Sequence, residues 1–301
     1  MKKKVVISGG TGMIGMRLTR LLVESGYEVI ILTRNPEKYK SKPGISYAAL
    51  NLSDAGLTAK IIDGVHSVIN LAGAGIGDKR WTPEYKEIIL NSRIDTTAHL
   101  VSSISQAENP PESFISASAV GIYGDRANEK LNEKSHVGDS FLSKVSIYWE
   151  HTADKCRSDV RLVKTRLGVV LAREGGALPK MLTPYKFFVG GAIGTGKQWM
   201  SWIHITDVCR LFLWCIENQD VKGVVNFVAP NPVTMNDFAK ELGRSVRRPS
   251  IFKVPEFVIK LILGESAEMV LSSQRIYPTA AEHLGFDFQF PNLKSALDDL
   301  V

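Results

Sequence analysis

Over its first 170 residues the chain alternates short apolar runs with longer stretches in which apolar positions return every three or four residues. The first pattern is that of strands buried on both faces, the second that of helices with one apolar stripe. Residues Lys4–Ser8 predict a β-branched strand bounded by glycine, and Ile14, Leu18, Leu21 and Leu22 predict one face of a helix that stops at Gly26. "EVIILT" predicts a second buried strand, "HSVINLAGAG" (66–75) a third ending in small residues, and "SFISASAVGIYGD" a fourth running into a loop. "PEYKEIILNSRIDTTAHLVSSISQA" reads as a long amphipathic helix. The stretch around "SKVSIYWEHT" (143–152) reads as another, followed by a strand over "VRLVKTRLGVVLA". Beyond this the regularity falls. A glycine-rich stretch, "GGALPKMLTPYKFFVGGAIGTGKQWMSW", precedes a helix over "HITDVCRLFLWCIEN" and a strand over "GVVNFVAP"; from "TMNDFAKEL" onward the pattern is helical with proline breaks.

Such alternation predicts an α/β fold with a doubly wound parallel sheet that binds ligands at the C-terminal ends of its strands. The expected division gives residues 1–170 with about 203–228 to a Rossmann-type dinucleotide-binding domain. Residues from about 171–202 and 229–301 would form a smaller, mostly helical lobe on the substrate side.

The first strand–helix junction carries Gly9, Gly12 and Gly15 in G-x-x-G-x-x-G spacing. Gly9 permits a tight turn, Gly12 admits a pyrophosphate close to the backbone, and Gly15 lets the helix close on the strand; free N–H groups at the helix start face the anion. In a β-turn-α-β context this points to a dinucleotide, against the plainer reading of a simple glycine turn. Nineteen residues past Gly15, where an acid would hold the ribose hydroxyls of NAD, stand Thr33 and Arg34. An acid repels a 2′-phosphate and a guanidinium pairs with it, so NADP is expected ahead of NAD. The competing reading of Arg34 is a solvated side chain opening the "RNPEK" turn.

Composition narrows the function classes. The chain has 301 residues, 44% hydrophobic and 23% charged, with a formal charge of +6, an ordinary globular balance. Basic residues cluster only at Lys2-Lys3-Lys4 and at Arg244 with Arg247-Arg248, too few for a nucleic-acid-binding face. No apolar run approaches the roughly 18–20 residues of a membrane span, and glycines interrupt the apolar start too early for a signal peptide. Cys156, Cys209 and Cys215 form no C-x-x-C pair, which suits inert thiols in a reducing compartment. The expectations are therefore a cytoplasmic protein with a small-molecule substrate, no nucleic-acid or membrane partner, no metal, and a homodimer as the assembly considered. "GAIGTGKQ" (191–198) fits the G-x-x-x-x-G-K phosphate loop but lacks the following Ser or Thr that holds magnesium. It also does not join a first strand to its helix, so it reads as a structural or substrate-lobe loop.

Several motifs together resemble the extended short-chain dehydrogenase/reductase superfamily. They are most similar to its atypical branch of epimerase-family, nucleoside-diphosphate-sugar-epimerase-like proteins that end in a DUF1731 domain. The residues that carry the resemblance are "SGGTGMIG", "NLAG" (70–73), "KRW" (79–81) with "NSRIDTT" (91–97), "SASAVGIYGD" (116–125), "GGAIGTGKQWMSWIHITD" (190–207) and "YPTAAEHLGFDFQFPNLKSALDDL". By position, the resemblance implies that Gly9, Thr11, Gly12, Met13, Ile14 and Gly15 hold the pyrophosphate. It gives Thr33 with Arg34 the adenosine ribose phosphate, and Leu71, Ala72 and Gly73 the ribose and nicotinamide side. Arg93 and Val170 match further cofactor contacts; on their own residues they read as a helix-surface ion pair and core packing. Lys79, Arg80, Trp81, Trp202 and His204 would stand on the substrate side, with a structural role as the alternative for His204.

Ordinary members of that superfamily place a Ser or Thr at the end of the fifth strand and a Y-x-x-x-K pair on the next helix. The tyrosine gives a proton to the oxygen that receives charge on hydride transfer, and the lysine lowers its pKa. Here the helix reads K-x-x-x-Y, from Lys144 to Tyr148. Aligning Glu150 with the glutamate that often follows the lysine puts Leu142 and Ser146 in the two catalytic positions; a one-residue shift gives Phe141 and Val145. Side chains lean toward a helix N-terminus, so swapping the two residues does not superpose their tips. Lys144 is expected in solvent and Tyr148 packed or lining the cleft. Ser118, Tyr123 and Tyr148 remain as catalytic candidates. Two functions stay open: an NADP-dependent oxidoreductase or epimerase-like enzyme on a small carbonyl or hydroxyl substrate, or a non-catalytic NADP(H)-binding sensor.

Overall fold

In the computed structural model, which describes residues 2–301, seven parallel strands form one sheet. They are β1 (Lys4–Ser8), β2 (Glu28–Thr33), β3 (Ile45–Ala49), β4 (Ser67–Asn70), β5 (Ser113–Ala119), β6 (Arg161–Leu167) and β7 (Gly223–Phe227). Their order, β7-β6-β5-β4-β1-β2-β3, takes the chain to one edge, back to the β1/β4 boundary and out to the other edge. That reversal opens a crevice at the C-terminal ends of β1 and β4, where sheets of this kind bind ligands.

Successive side chains of a strand point to opposite faces, and β1 divides its residues accordingly. Val5 and Ile7 enter a core with Leu18 and Leu22 of α1 (Met13–Glu24), whereas Val6 enters a second core on the opposite face. That second core is closed by Ile62 of α2 (Ala55–Ile62), by Leu100 and Ile104 of α3 (Pro83–Gln106) and by Ala153 of α4 (Phe141–Ala153). After α5 (Ala177–Lys186), helix α6 (Ile205–Glu217) returns to the α1 side and adds Val208, Leu211 and Phe212 to the first core. Phe238 and Leu242 of α7 (Met235–Ser245), and Leu297 and Leu300 of the last helix (Leu293–Leu300), belong to that same core. The C-terminal segment thus packs onto the sheet's own core.

Two features differ from the pattern reading. The apolar stretch expected as one strand breaks at Gly168: Arg161–Leu167 stays in the sheet, and Val169–Leu171 leaves it to pair in parallel with Trp202–His204. A Cβ at Gly168 would lie 2.7 Å from Ser201 O and 2.7 Å from Val228 Cγ1, so only glycine allows the bend. The stretch between β2 and β4 gave no element by pattern, yet it supplies β3 and α2. β3 is an edge strand with no fully buried residue, so its apolar signal is weak. Among the described residues, no helix is long and apolar enough to cross a membrane.

Candidate functional site

The crevice begins at the turn between β1 and α1. Gly9 has φ +76°, and a Cβ there would lie 2.7 Å from Leu71 C and 2.8 Å from Ala72 N. A Cβ at Gly15 would sit 2.5 Å from Gly9 O, so this glycine lets the helix close on the turn. Gly12 is exposed and starts α1 with no side-chain cap and no acid in the first turn. The first N–H groups of α1 are therefore free and carry the positive end of the helix dipole. Thr11, Met13 and Ile14 are half-buried around this turn. Met13 reaches across to the Gly175–Gly176 turn, next to the half-buried Val170.

The other wall is the turn Leu71–Ala72–Gly73 after β4. A buried relay fixes it: Ser8 Oγ donates to Asn70 Oδ1 at 2.8 Å, and the Ala72 N–H donates to the same oxygen at 3.2 Å. Asn70 Nδ2 and Trp149 Nε1 both donate to Thr97 Oγ1, at 2.8 and 3.0 Å. Thr97 and Trp149 were invisible as site residues in the sequence, because the relay joins four elements far apart in the chain.

Two guanidiniums flank these walls. Arg34, exposed at the end of β2, makes no ion pair or hydrogen bond among the described residues; its neighbour Thr33 accepts from the Asn35 N–H at 3.4 Å. Arg93 of α3 lies against Gly73, whose Cβ would stand 3.1 Å from Arg93 Cζ, and packs over the Trp149 ring at 5.1 Å. Its Nη1 donates to Ile89 O at 2.8 Å, and no carboxylate pairs with it among the described residues. Burial lowers its pKa to about 10, so it stays charged at neutral pH. The surface ion pair that its residue type alone suggested is not formed.

The catalytic candidates fare differently. Ser118 and Tyr123 are buried, and both are tied into one network. Ser118 Oγ donates to Glu150 Oε1 at 2.7 Å, and Arg166 Nε and Nη2 clamp the two Glu150 oxygens at 2.7 and 2.9 Å. Arg166 Nη1 donates to the Tyr123 hydroxyl at 2.9 Å, which donates to Asn226 Oδ1 at 2.8 Å. Burial would depress Arg166, but its bonds to Glu150 outweigh that and hold it above the ordinary arginine range. Burial also raises the pKa of Tyr123. Both candidate proton donors, Ser118 and Tyr123, thus have their hydroxyls hydrogen-bonded inside the fold. The partly exposed residue at the tip of β5 is Ala119, which has no hydroxyl.

Helix α4 explains the rest. Leu142, Ser146 and Glu150 form an i, i+4, i+8 row facing β5 and its following turn; Leu142 Cβ would lie 3.1 Å from a Cβ on Gly121. The adjacent row, Phe141, Val145 and Trp149, faces α3, where the Phe141 ring meets Trp81 edge-on at 5.0 Å. Neither row holds a Tyr or a Lys. Lys144 is exposed as expected, but Tyr148 is 54% exposed rather than packed or lining the cleft. Both members of the reversed pair project into solvent.

On the substrate side, Lys79 and Arg80 are exposed, and Arg80 Nη2 donates to Leu261 O at 3.1 Å. Trp81 is buried and donates to Ile76 O at 2.8 Å, while Tyr85 and Lys180 hold Gly75 O and Gly77 O at 2.6 and 2.8 Å. Trp81, Tyr85 and Lys180 together anchor the 74–81 loop. Trp202 and His204 are fully buried. Trp202 donates to Asn231 O at 3.1 Å. His204 Nδ1 accepts from the Thr206 N–H at 3.1 Å to cap α6, its ring stacks on Phe290, and Nε2 lies 3.2 Å from Asp299 Oδ2. Burial lowers the His204 pKa, so it is a neutral ring that docks the last helix. Trp202 and His204 are thus placed inside the fold, where the structural role considered for His204 has its partners. A cleft of about 510 Å³ opens between Asp125, Gln198 and α8 (Glu256–Leu263), lined also by Glu265 and Glu268.

The profile of the NAD dependent epimerase/dehydratase family matches residues 5–227, and that of the DUF1731 domain, of unknown function, matches residues 254–300. The chain belongs to the NAD dependent epimerase/dehydratase family. The epimerase family match runs from β1 to the end of β7, and so covers the whole sheet. An epimerase family protein of Staphylococcus haemolyticus is 42% identical over 99% of both chains. The chloroplastic homolog of epimerase family protein SDR39U1 from Arabidopsis thaliana is 39% identical over 97% of this chain and 85% of its own. The human epimerase family protein SDR39U1, solved with NADPH, superposes with a TM-score of 0.89 at 33% identity, covering 99% of this chain and 98% of that one.

Proposed function

We propose that this epimerase family member binds NADP(H) in the β1/β4 crevice and acts as an oxidoreductase or epimerase-like enzyme on a small carbonyl or hydroxyl substrate. The observation that carries the reading is the pair of guanidiniums without a carboxylate partner, Arg34 and Arg93, beside a glycine turn that no side chain could share. The donors fit the group: free N–H groups of α1 suit a pyrophosphate, and Arg34 suits a 2′-phosphate. The human relative solved with NADPH supports the same choice. Bound NADP(H) supplies the hydride donor or acceptor. In this reading Gly9, Thr11, Gly12, Met13, Ile14 and Gly15 seat the diphosphate, and Thr33 with Arg34 seats the ribose phosphate. Leu71, Ala72 and Gly73 line the nicotinamide side, with Val170 closing it. Arg93 lends positive charge there, where it would stabilise an oxyanion. With Ser118 and Tyr123 engaged internally, no side chain of the customary site offers a proton, so water delivers it. The division at 1–170 plus about 203–228 belongs to this reading.

A second reading, an NADP(H) sensor without turnover, is favoured by that same loss of the proton donor. A screen of carbonyl compounds with the stripped protein and NADPH separates the two: cofactor consumption with any compound supports the enzyme. If none is consumed, and the oxidised and reduced cofactors change affinity for a partner protein differently, the sensor reading replaces it. Lys144→Ala is expected to leave the consumption rate within about twofold of wild type. A fall beyond about 100-fold, the scale of an acid–base residue, would restore the reversed pair to the site.

A further inference from the structure

Away from the crevice, the C-terminal segment exposes an apolar face with no partner in the fold. After α5, Phe187 is 72% exposed and Phe188 and Val189 stand beside it in solvent. The short strand Phe252–Val254 pairs with Gly191–Ile193, and its Phe252 N–H donates to Gly190 O at 3.3 Å. This brings Ile251, 77% exposed, and Phe252 next to the first loop. Pro255 then leads directly into α8, where Phe257 and Leu261 share one helix face and are 70% and 74% exposed. Large apolar side chains left exposed together in one region of a fold are the mark of an interaction surface. Phe188 and Arg247, with φ 61° and 54°, are two of only three non-glycine residues in the left-handed region among the described residues. Backbone strain therefore concentrates at the tips of this face.

The unpaired charges beside the 187–189 loop and the Phe252–Val254 strand are cations, whereas the acids Glu265 and Glu268 line the cleft past the end of α8. Lys186, Arg247, Arg248 and Lys253 are exposed and have no ion-pair partner among the described residues. Arg248 lies over the Phe188 ring at 4.4 Å. Between residues 247 and 262 the only acid is Glu256, which pairs with Lys260 at 2.7 Å. A second copy seated here by two-fold symmetry would set these cations against their own images, with one already paired carboxylate per chain to offset them. An anionic bilayer offers the complement to both features, an apolar layer beneath a negative surface. We propose that this face seats the protein on an anionic lipid surface, with α8 and the 187–189 loop at the acyl boundary and the flanking cations on the headgroups.

Such a helix lies in the interface and does not span it. The expectation of no membrane partner rested on the missing spanning run, and surface attachment requires none. The proposal is independent of the cofactor reading.

The test is co-sedimentation of the full chain with vesicles of phosphatidylcholine alone and of phosphatidylcholine with phosphatidylglycerol. The chain is expected to bind the second kind, to bind the first weakly, and to be released by salt. At about fivefold per cation, the double variant Arg248→Ser/Lys253→Ser should bind the anionic vesicles about 30-fold more weakly. Phe257→Ser/Leu261→Ser should also weaken binding. Phe187→Ser, in a loop outside every core, reads the apolar contribution if the helix variant fails to fold. Equal binding to both vesicles, binding to neither, or binding unchanged in these variants overturns the proposal. So does a concentration-dependent dimer in analytical ultracentrifugation that Phe187→Ser dissociates, since the face would then belong to a second copy.

Discussion

Arg166→Ala should destabilise the protein by about 3–5 kcal/mol, the range for breaking a buried ion pair from one side. The side chains of Arg166 and Glu150 are 7% and 8% exposed, and three hydrogen bonds leave the guanidinium at 2.9 Å or less. Alanine leaves the Glu150 carboxylate enclosed without its counter-charge, and removes a donor from the Tyr123 hydroxyl. Chemical denaturation reads the loss directly. The same experiment on Glu150→Gln is informative: a neutral amide keeps one partner for Ser118 and should cost less. An Arg166→Ala protein as stable as wild type would mean that the network contributes little, and would free Ser118 and Tyr123 for catalysis.

Gly15→Ala should weaken NADP(H) binding by at least about 100-fold, or close to 3 kcal/mol. The added Cβ would stand 2.5 Å from Gly9 O and 2.5 Å from Gly10 Cα, both backbone atoms that cannot swing aside. The helix must therefore move away from the turn and carry its free N–H groups with it. Because the helix packs Leu18 and Leu22 into the core, a drop in melting temperature should accompany the lost affinity. Isothermal titration of the variant at a temperature where it is folded separates the two effects. Unchanged affinity would place the cofactor somewhere other than this turn.

How much of this was legible without coordinates depends on how far apart in the chain the cooperating residues lie. The glycine turn was fully readable, since β1, the turn and α1 are consecutive and each glycine has a local steric reason. The doubly wound parallel sheet, with ligands at the C-terminal ends of its strands, followed from alternation, whereas the strand order and the β1/β4 crevice came only with the fold. β3 escaped notice because an edge strand needs no continuous apolar run. The fate of Ser118 and Tyr123 could not be read: both are polar residues at the right strand end, and only the fold brings Glu150 and Arg166 to them from one helix and another strand. The same holds for Trp202 and His204, whose partners Asn231 and Asp299 lie far downstream. A partial signal did exist for α4. The Leu142, Ser146 and Glu150 row was visible in the sequence, and its lack of a Tyr and a Lys already argued that the customary proton donor had gone.

The central claim is that the β1/β4 crevice holds a phosphorylated dinucleotide chosen by Arg34, and calorimetry tests it most directly. Protein stripped of bound nucleotide, titrated with NADPH and with NADH, is predicted to bind one molecule per chain and to favour NADPH. A charge-assisted contact to the 2′-phosphate sets that preference at about 10- to 100-fold, and Arg34→Asp should abolish it. No heat with either cofactor, or a preference for NADPH that survives Arg34→Asp, would contradict the account.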